Sequence, residues 1–235
     1  MKSPVRVLLV GAAGRMGKTI VDLAKDDPNI EIVAQCEIGD VVGSAMRKSD
    51  VVIDFSHAGA IDEISRAALQ DQRPLVIGTT GHSAEQRAAI DRAARSVPVV
   101  FASNFSAGVN ALFALARNAS ETLGPEFNVE IIEAHHQTKK DAPSGTAKTL
   151  ATILRKVRNA NDEISIRSIR EGDVVGEHTV IFSGPGERLE MTHRAASREI
   201  FARGALRAAR WIIGKPAGLY SMQDVLGLSA CSRGR

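Results

Sequence analysis

The chain has 235 residues, 44% of them apolar and 24% charged, with a formal net charge of +3. That balance suits a soluble protein of one large or two modest domains and excludes a disordered or collagen-like chain. With seven Phe, one Trp and one Tyr, there are too few aromatics to interleave with the dispersed Arg and Lys of a nucleic-acid platform, so small anionic ligands are the expected partners.

The two cysteines, Cys36 and Cys231, fall in an expected buried strand and in the C-terminal tail, which suggests neither a disulfide framework nor a Cys-rich metal site. No apolar run reaches membrane-spanning length, so the expected setting is the cytoplasm with no membrane partner.

The first hundred residues alternate between strands and helices. Val5 to Val10 reads as a strand, Gly11 to Gly17 as a turn, and Met16, Ile20, Leu23 and Ala24 as a helical stripe ending before Pro28. Glu31–Glu37 and Val51–Phe55 read as strands, followed by a helix marked by Ile61, Ile64 and Ala68. Pro74 opens the strand Leu75–Ile77. Ser83 and Gln86 form a capping box for a helix facing inward through Ile90, Ala93 and Val97, and Pro98 opens the strand Val99–Phe101. Apolar strands separated by short amphipathic helices predict a parallel sheet covered on both faces, a Rossmann-like α/β domain.

The pattern changes after Phe105. A helix carries Val109, Leu112, Phe113 and Ala116. The strand Val129–Ala134 runs directly into two histidines, and another helix, with Ala147, Leu150, Ala151 and Leu154 on one face, follows Ser144-Gly145. Ile164–Ile169, His178–Phe182 and Arg188–His193 read as strands, the last two an antiparallel hairpin across Gly184-Pro185-Gly186. A long helix with Phe201, Ala205, Ala208 and Ile212 closes the pattern. The expected organisation is a dinucleotide-binding domain over 1–105, completed by 199–235, and an α+β domain with an open mixed sheet over 106–198.

Gly11-Ala12-Ala13-Gly14-Arg15-Met16-Gly17 joins the first strand to the first helix. Its glycines allow a tight turn, close approach of backbone to a pyrophosphate and close packing of helix on strand. By itself this G-x-x-G-x-x-G spacing fits an ordinary strand–helix turn as well. Glu37 adds a carboxylate at the end of the second strand, where it can accept hydrogen bonds from ribose hydroxyls. Gly78-Thr79-Thr80-Gly81 and Ala102-Ser103-Asn104-Phe105 follow later strands, at the edge where ligands bind in open α/β sheets, and are expected to line the nicotinamide end.

The run from Glu133 to Thr146 collects another set of groups. His135 and His136 supply side chains that exchange protons near neutral pH, Lys139 and Lys140 supply cations, and Ser144-Gly145-Thr146 opens a helix whose N–H groups can receive an anion. A metal site is not expected, because adjacent residues on a strand point to opposite faces and make a poor chelate. Asp54 reads as a strand end. His57, His82, His178 and His193 have no acid partner visible in the sequence.

Together, the glycine turn, Val52–Ser56, Val76–Gly81, Ser103–Ser106, the Glu133–Thr146 run, Val175–Thr179, Gly186–Glu190 and Gly218–Met222 give a chain that closely resembles the 4-hydroxy-tetrahydrodipicolinate reductase (dihydrodipicolinate reductase) family of lysine biosynthesis. The resemblance covers nearly the whole chain. It implies hydride transfer from NADH or NADPH to a cyclic dicarboxylate with loss of water. It assigns His135 as acid/base, Lys139 as proton donor, His136 as a substrate contact, and Gly145 and Thr146 as receivers of a substrate carboxylate. It further implies a homotetramer, assembled through the sheet of the second domain.

Two departures from the family pattern stand out: a short segment between Glu37 and Val51, and Ile38 where several members carry an arginine. NADH is therefore expected to be favoured, because Glu37 repels a 2′-phosphate and Ile38 cannot neutralise it. Arg15, Lys18, Arg47 and Lys48 remain alternative partners for that phosphate. Competing readings are another dinucleotide-dependent dehydrogenase, acting on aspartate or homoserine, and a non-catalytic NAD(H) sensor.

Overall fold

The computed structural model describes residues 3–37, 39–159 and 163–228; Ile38 and Cys231 lie outside them. In chain order the first elements are β1 (Val5–Val10), α1 (Arg15–Lys25), β2 (Ile30–Cys36), α2 (Val42–Met46), β3 (Val51–Asp54), α3 (Ile61–Asp71), β4 (Leu75–Ile77), α4 (Ala84–Ala94) and β5 (Pro98–Phe101). Then come α5 (Ala107–Leu123), β6 (Asn128–His135), α6 (Gly145–Arg158), β7 (Ser165–Arg170), β8 (Gly176–Gly184) and β9 (Glu187–Ala195). The described chain closes with α7 (Glu199–Ile212), β10 (Gly218–Tyr220) and α8 (Met222–Val225). Two compact units result, one from Met1–Ser106 with Glu199–Arg235 and the other from Ala107–Arg198.

The first unit is built on a six-stranded sheet in the order β10-β5-β4-β3-β1-β2, every pairing parallel. Successive side chains on a strand point to opposite faces, so each apolar run feeds two cores. Val7, Leu9, Val51, Ile53, Val76 and Val100 pack with Ile20 of α1 and with Ala205, Ala208 and Ile212 of α7. Leu8, Val10, Val52, Leu75, Ile77 and Val99 pack on the other face with Met46, Ile61, Ile64 and Ile90 of α2, α3 and α4. Continuous Val/Ile/Leu runs were the signature of this two-faced burial.

The sequence pattern did not announce the short elements α2, β10 and α8. The shortened segment after Glu37 holds the five-residue helix α2, anchored by the buried Val42 and Met46. Gly218–Tyr220 forms β10, a sixth strand alongside β5; three residues are too few to show a period. Ser83 and Gln86 make the expected capping box of α4. An ion pair between Asp27 and Arg210 joins the α1–β2 turn to α7.

The second unit has a four-stranded mixed sheet in the order β7-β6-β8-β9, with β6 parallel to β7 and antiparallel to β8. Its core joins Ile131, Val180 and Phe182 of the sheet to Val109, Leu112 and Phe113 of α5 and Leu150 and Leu154 of α6. The same strand parity that turns Ile131 into this core carries Glu133 and His135 onto the same face.

Candidate active site

The polar residues of the second unit begin where its apolar core ends. Glu133 is 0% exposed and His135 8%, at the C-terminal end of β6. The ring Nδ1 of His135 hydrogen-bonds Oε2 of Glu133. Oε1 of Glu133 accepts from Arg170 Nη2 at 2.8 Å and from the backbone N–H of Ser144 at 3.3 Å. Sheet register explains the convergence, because Glu133 stands opposite Ser168 on β7 and opposite His178 on β8, and His135 opposite Arg170. The His135 and His178 rings meet edge to face with centroids 5.1 Å apart.

Burial alone would push the Glu133 carboxyl up, but the hydrogen bonds from Arg170, Ser168 and His135 outweigh it and hold its pKa down at about 2. Burial lowers the pKa of His135; Glu133 opposes that shift, and the charges of Lys139 and Arg170 add to it. Burial, with the nearby His135, brings His178 down to about 4. The cluster therefore combines an ionised carboxylate, a tunable imidazole and a neutral histidine.

After β6 the chain turns outward. His136 is held through its backbone N–H to Val174 O at 2.7 Å, and its Nδ1 lies 2.7 Å from the Thr138 hydroxyl. Lys139 pairs with Asp141 at 2.7 Å, and the carbonyl of Asp141 accepts from Arg170 Nη2 at 2.7 Å. Lys140 is exposed. Ser144 caps α6, its hydroxyl accepting from Ala147 N at 3.2 Å. Gly145 and Thr146 are thus the first two residues of α6, and a Cβ at Gly145 would meet nothing within 4 Å.

Glu133, His135 and His178 bring possible ligand atoms within 4.8 Å of one another. The carboxylate is already committed to the Arg170 guanidinium and the His135 ring, and a second cation would have to displace both; the trio reads as an ion-paired acid/base network. His135 and His136 have separate partners, as their opposite directions on the chain require.

In the first unit, all the proposed cofactor residues lie at or just beyond the C-terminal ends of parallel strands. Since β1 pairs with both β2 and β3, the strand order reverses beside the glycine turn, the position at which open α/β sheets bind ligands. Gly11 has φ +83°, and a Cβ there would lie 2.5 Å from the Phe55 carbonyl oxygen. Gly14 is the N-cap of α1, which no side chain caps, so the first turn at Arg15 and Met16 presents N–H groups to an anion. Ala12 is buried, and the exposed Ala13 donates its N–H to Oε1 of Glu37. A surface cleft lined by Ala12, Ala13, Lys18, Asp22, Gln35 and Glu37 opens beside them. Gly78 sits against the Phe55 ring, where a Cβ would overlap it, while Thr79 is buried and Thr80 exposed. Ala102 and the exposed Ser103 lead to Asn104, whose Oδ1 accepts from Ser106 N at 2.8 Å, and to the buried Phe105, 5.5 Å ring to ring from Phe55. Asp54 ends β3, its Oδ1 accepting from Ser56 N at 2.9 Å. These groups fit a dinucleotide: a pyrophosphate at an uncapped helix start and a ribose beside Glu37.

Comparisons with known proteins identify the family. The family model for dihydrodipicolinate reductase, N-terminus, matches residues 5–105, and the model for its C-terminus matches residues 108–226. The chain belongs to the dihydrodipicolinate reductase family. It is an oxidoreductase of that family, on a Rossmann-like NAD(P)H-binding fold. It is 47% identical to the 4-hydroxy-tetrahydrodipicolinate reductase of Akkermansia muciniphila over 96% of this chain and 99% of that protein. With the enzyme of the same name from Methanoculleus marisnigri it shares 43% identity over 95% of this chain and all of that protein (100%). Among solved structures, the dipicolinate-bound dihydrodipicolinate reductase from Paenisporosarcina sp. TG-14 superposes with a TM-score of 0.79 at 25% identity, covering 94% of this chain and 98% of that one. A diaminopimelate dehydrogenase of C. glutamicum shares the fold, with a TM-score of 0.59 at 13% identity over 96% of this chain and 94% of that one.

Glu133, Arg170 and His178 are the site residues to which the sequence assigned no role, and the contact of Ser144 with His178 was likewise not visible there. The Glu133/His135 spacing of two on a strand was a signal that could have linked the first pair. Arg170 and His178 enter through strand pairings across more than thirty residues of chain, which no local pattern announces.

Proposed function

We propose that the protein reduces 4-hydroxy-tetrahydrodipicolinate to tetrahydrodipicolinate with loss of water, in lysine (diaminopimelate) biosynthesis, with His135 as acid/base and Lys139 as proton donor. The observation that carries these assignments is the buried His135 held by an ionised Glu133, with Lys139 electrostatically coupled to the same ring. The dinucleotide supplies a hydride; the chain must supply the proton and hold the dicarboxylate. The α6 N-terminus, with Gly145 and Thr146, receives one substrate carboxylate on backbone N–H groups. Lys139 and His136 add a cation and a hydrogen-bonding ring to the same segment. The dipicolinate in the Paenisporosarcina relative supports a dicarboxylate ligand here.

On this reading Glu37 faces the adenosine ribose. One of its oxygens is occupied by Ala13 N–H, and the other is left for ribose hydroxyls, which favours NADH over NADPH. Among the described residues the sheet of the second unit has two edge strands, β7 and β9, and only α5 and α6 to cover it, which supports assembly into a homotetramer through that sheet. Among the described residues no helix is long and apolar enough to cross a membrane; a cytoplasmic enzyme is the reading we adopt.

The test is NADH oxidation with the synthetic cyclic substrate, in the wild type and in His135→Gln and Lys139→Ala. Both variants should lose roughly 10²–10⁴-fold in kcat while binding NADH normally. Near wild-type turnover in either removes that residue from the mechanism, and a wild type inactive on this substrate sinks the assignment. Light scattering that gives a 25 kDa particle would count against the tetramer.

A further inference from the structure

His135 lies in a ring of fixed groups whose geometry decides which of its two nitrogens does the work. Its Nδ1 is engaged by Glu133 Oε2. Its Nε2 lies on the side of Gly176, where a Cβ would crowd it at 3.1 Å and glycine carries none. Glu133 itself cannot turn away. Its other oxygen receives Arg170 Nη2 at 2.8 Å and Ser144 N at 3.3 Å. Arg170 reaches in turn to the carbonyls of Asp141 and Ile169, at 2.7 and 2.6 Å, and Asp141 holds Lys139. One buried carboxylate therefore stands at the junction of the imidazole, the α6 cap and the loop that carries the lysine.

We propose that Glu133 is the positioning residue for His135: its carboxylate retains the Nδ1 proton, so Nε2 is the nitrogen that exchanges protons with substrate, and through Arg170 it fixes the loop bearing Lys139. This rests on the reading of His135 as the acid/base. When the ring acts as an acid, the imidazolium releases its Nε2 proton and becomes the neutral Nδ1–H tautomer, with that remaining proton still hydrogen-bonded to Glu133. A buried carboxylate orienting an imidazole in this way selects the tautomer and stabilises the imidazolium. The charged and titratable groups around the ring are Glu133 on its own strand, Arg170 on β7, His178 on β8 and Lys139 on the following loop. Of these, only Glu133 favours the protonated ring.

The direct test is histidine ¹⁵N–¹H NMR of the intact wild-type enzyme, with the His135 signals identified by their loss in His135→Gln. At a pH where the ring is neutral, the expected result is a protonated Nδ1 and a bare Nε2. A proton on Nε2 with a bare Nδ1 overturns the proposal. The companion variant is Glu133→Gln, expected to lose about 10²-fold or more in kcat with little change in NADH affinity. The alkaline limb of its kcat profile should move to lower pH, because the ring loses its one favourable charge and keeps the unfavourable Arg170 and Lys139. An unshifted limb in a folded Glu133→Gln enzyme also counts against it. If the variant fails to fold, because it leaves the Arg170 cation without its carboxylate, the wild-type tautomer still decides. The two readings fail separately: an active His135→Gln enzyme removes His135 from the chemistry, whereas the wrong tautomer in the wild type, with His135→Gln inactive, removes only Glu133.

Discussion

The hydroxyl of Ser144 lies 3.1 Å from Nε2 of His178 and at the same time accepts the N–H of Ala147, so one serine joins β8 to the first turn of α6. Ser144→Ala would remove a helix cap, typically worth about 1 kcal/mol, and would leave a buried ring nitrogen unpaired at a cost of about 1–3 kcal/mol. We expect a lower urea midpoint and a raised KM for the dicarboxylate, with NADH affinity unchanged. An unaltered midpoint would show that neither bond contributes.

Acid should destabilise the protein in two stages. His178 has a folded-state pKa of about 4 against an ordinary value of 6.5, so the unfolded chain takes up the proton first. Stability is then full above pH 6.5 and declines as the pH falls toward 4, by up to about 1.4 kcal/mol per pH unit for one proton. Glu133, held at about 2 against 4.5, contributes stability that is complete above pH 4.5 and is lost as the pH falls through 2. Urea titrations at pH 7 and pH 5 should show the first stage, and His178→Gln should flatten it. Equal slopes in both proteins would assign the loss to other groups.

Two glycines at helix starts should respond in opposite ways to alanine. A Cβ at Gly17 would overlap the carbonyl oxygen of Gly11 and the backbone of Ala12, none of which is a flexible end. Gly17→Ala should distort the turn, lower the thermal midpoint by several degrees and weaken NADH binding at least 10-fold, within the about 1–3 kcal/mol range of overpacking. At Gly145 a Cβ meets open space, and the backbone N–H survives the change. Gly145→Ala should therefore keep its stability and most of its NADH affinity. Thermal melts and cofactor titrations of the two variants check both statements.

Cofactor choice should follow the charge beside the ribose. Glu37→Gln removes a carboxylate from the cleft lined by Lys18, Asp22 and Gln35, and it should raise kcat/KM with NADPH relative to NADH several-fold. Ile38→Arg should shift the ratio the same way by adding a cation for the 2′-phosphate. A wild-type kcat/KM higher with NADPH than with NADH would instead point to Arg15, Lys18, Arg47 or Lys48 as the phosphate partner.

The sheet of the first unit was legible in the sequence because burial on both faces writes itself as continuous apolar runs, such as Val7 to Val10 and Val51 to Ile53. The capping box at Ser83 and Gln86 and the glycine turn are also local, and local chemistry determines them. The His-His-Lys-Lys run with its Pro-Ser-Gly-Thr helix start places the proposed acid, cation and anion cradle within fourteen residues of one another. Only the tertiary structure decided what surrounds them. Lys139 reads as a free cation in the sequence but is paired with Asp141 in the fold, and β10, with three residues, exists because β5 offers it an edge. Glu133 acquires its meaning from Arg170 and Ser144, and His178 from its place opposite Glu133. Strand register is set by the packing of a whole sheet face, a non-local quantity, so the partners of a buried charge cannot be read from its neighbours in the chain.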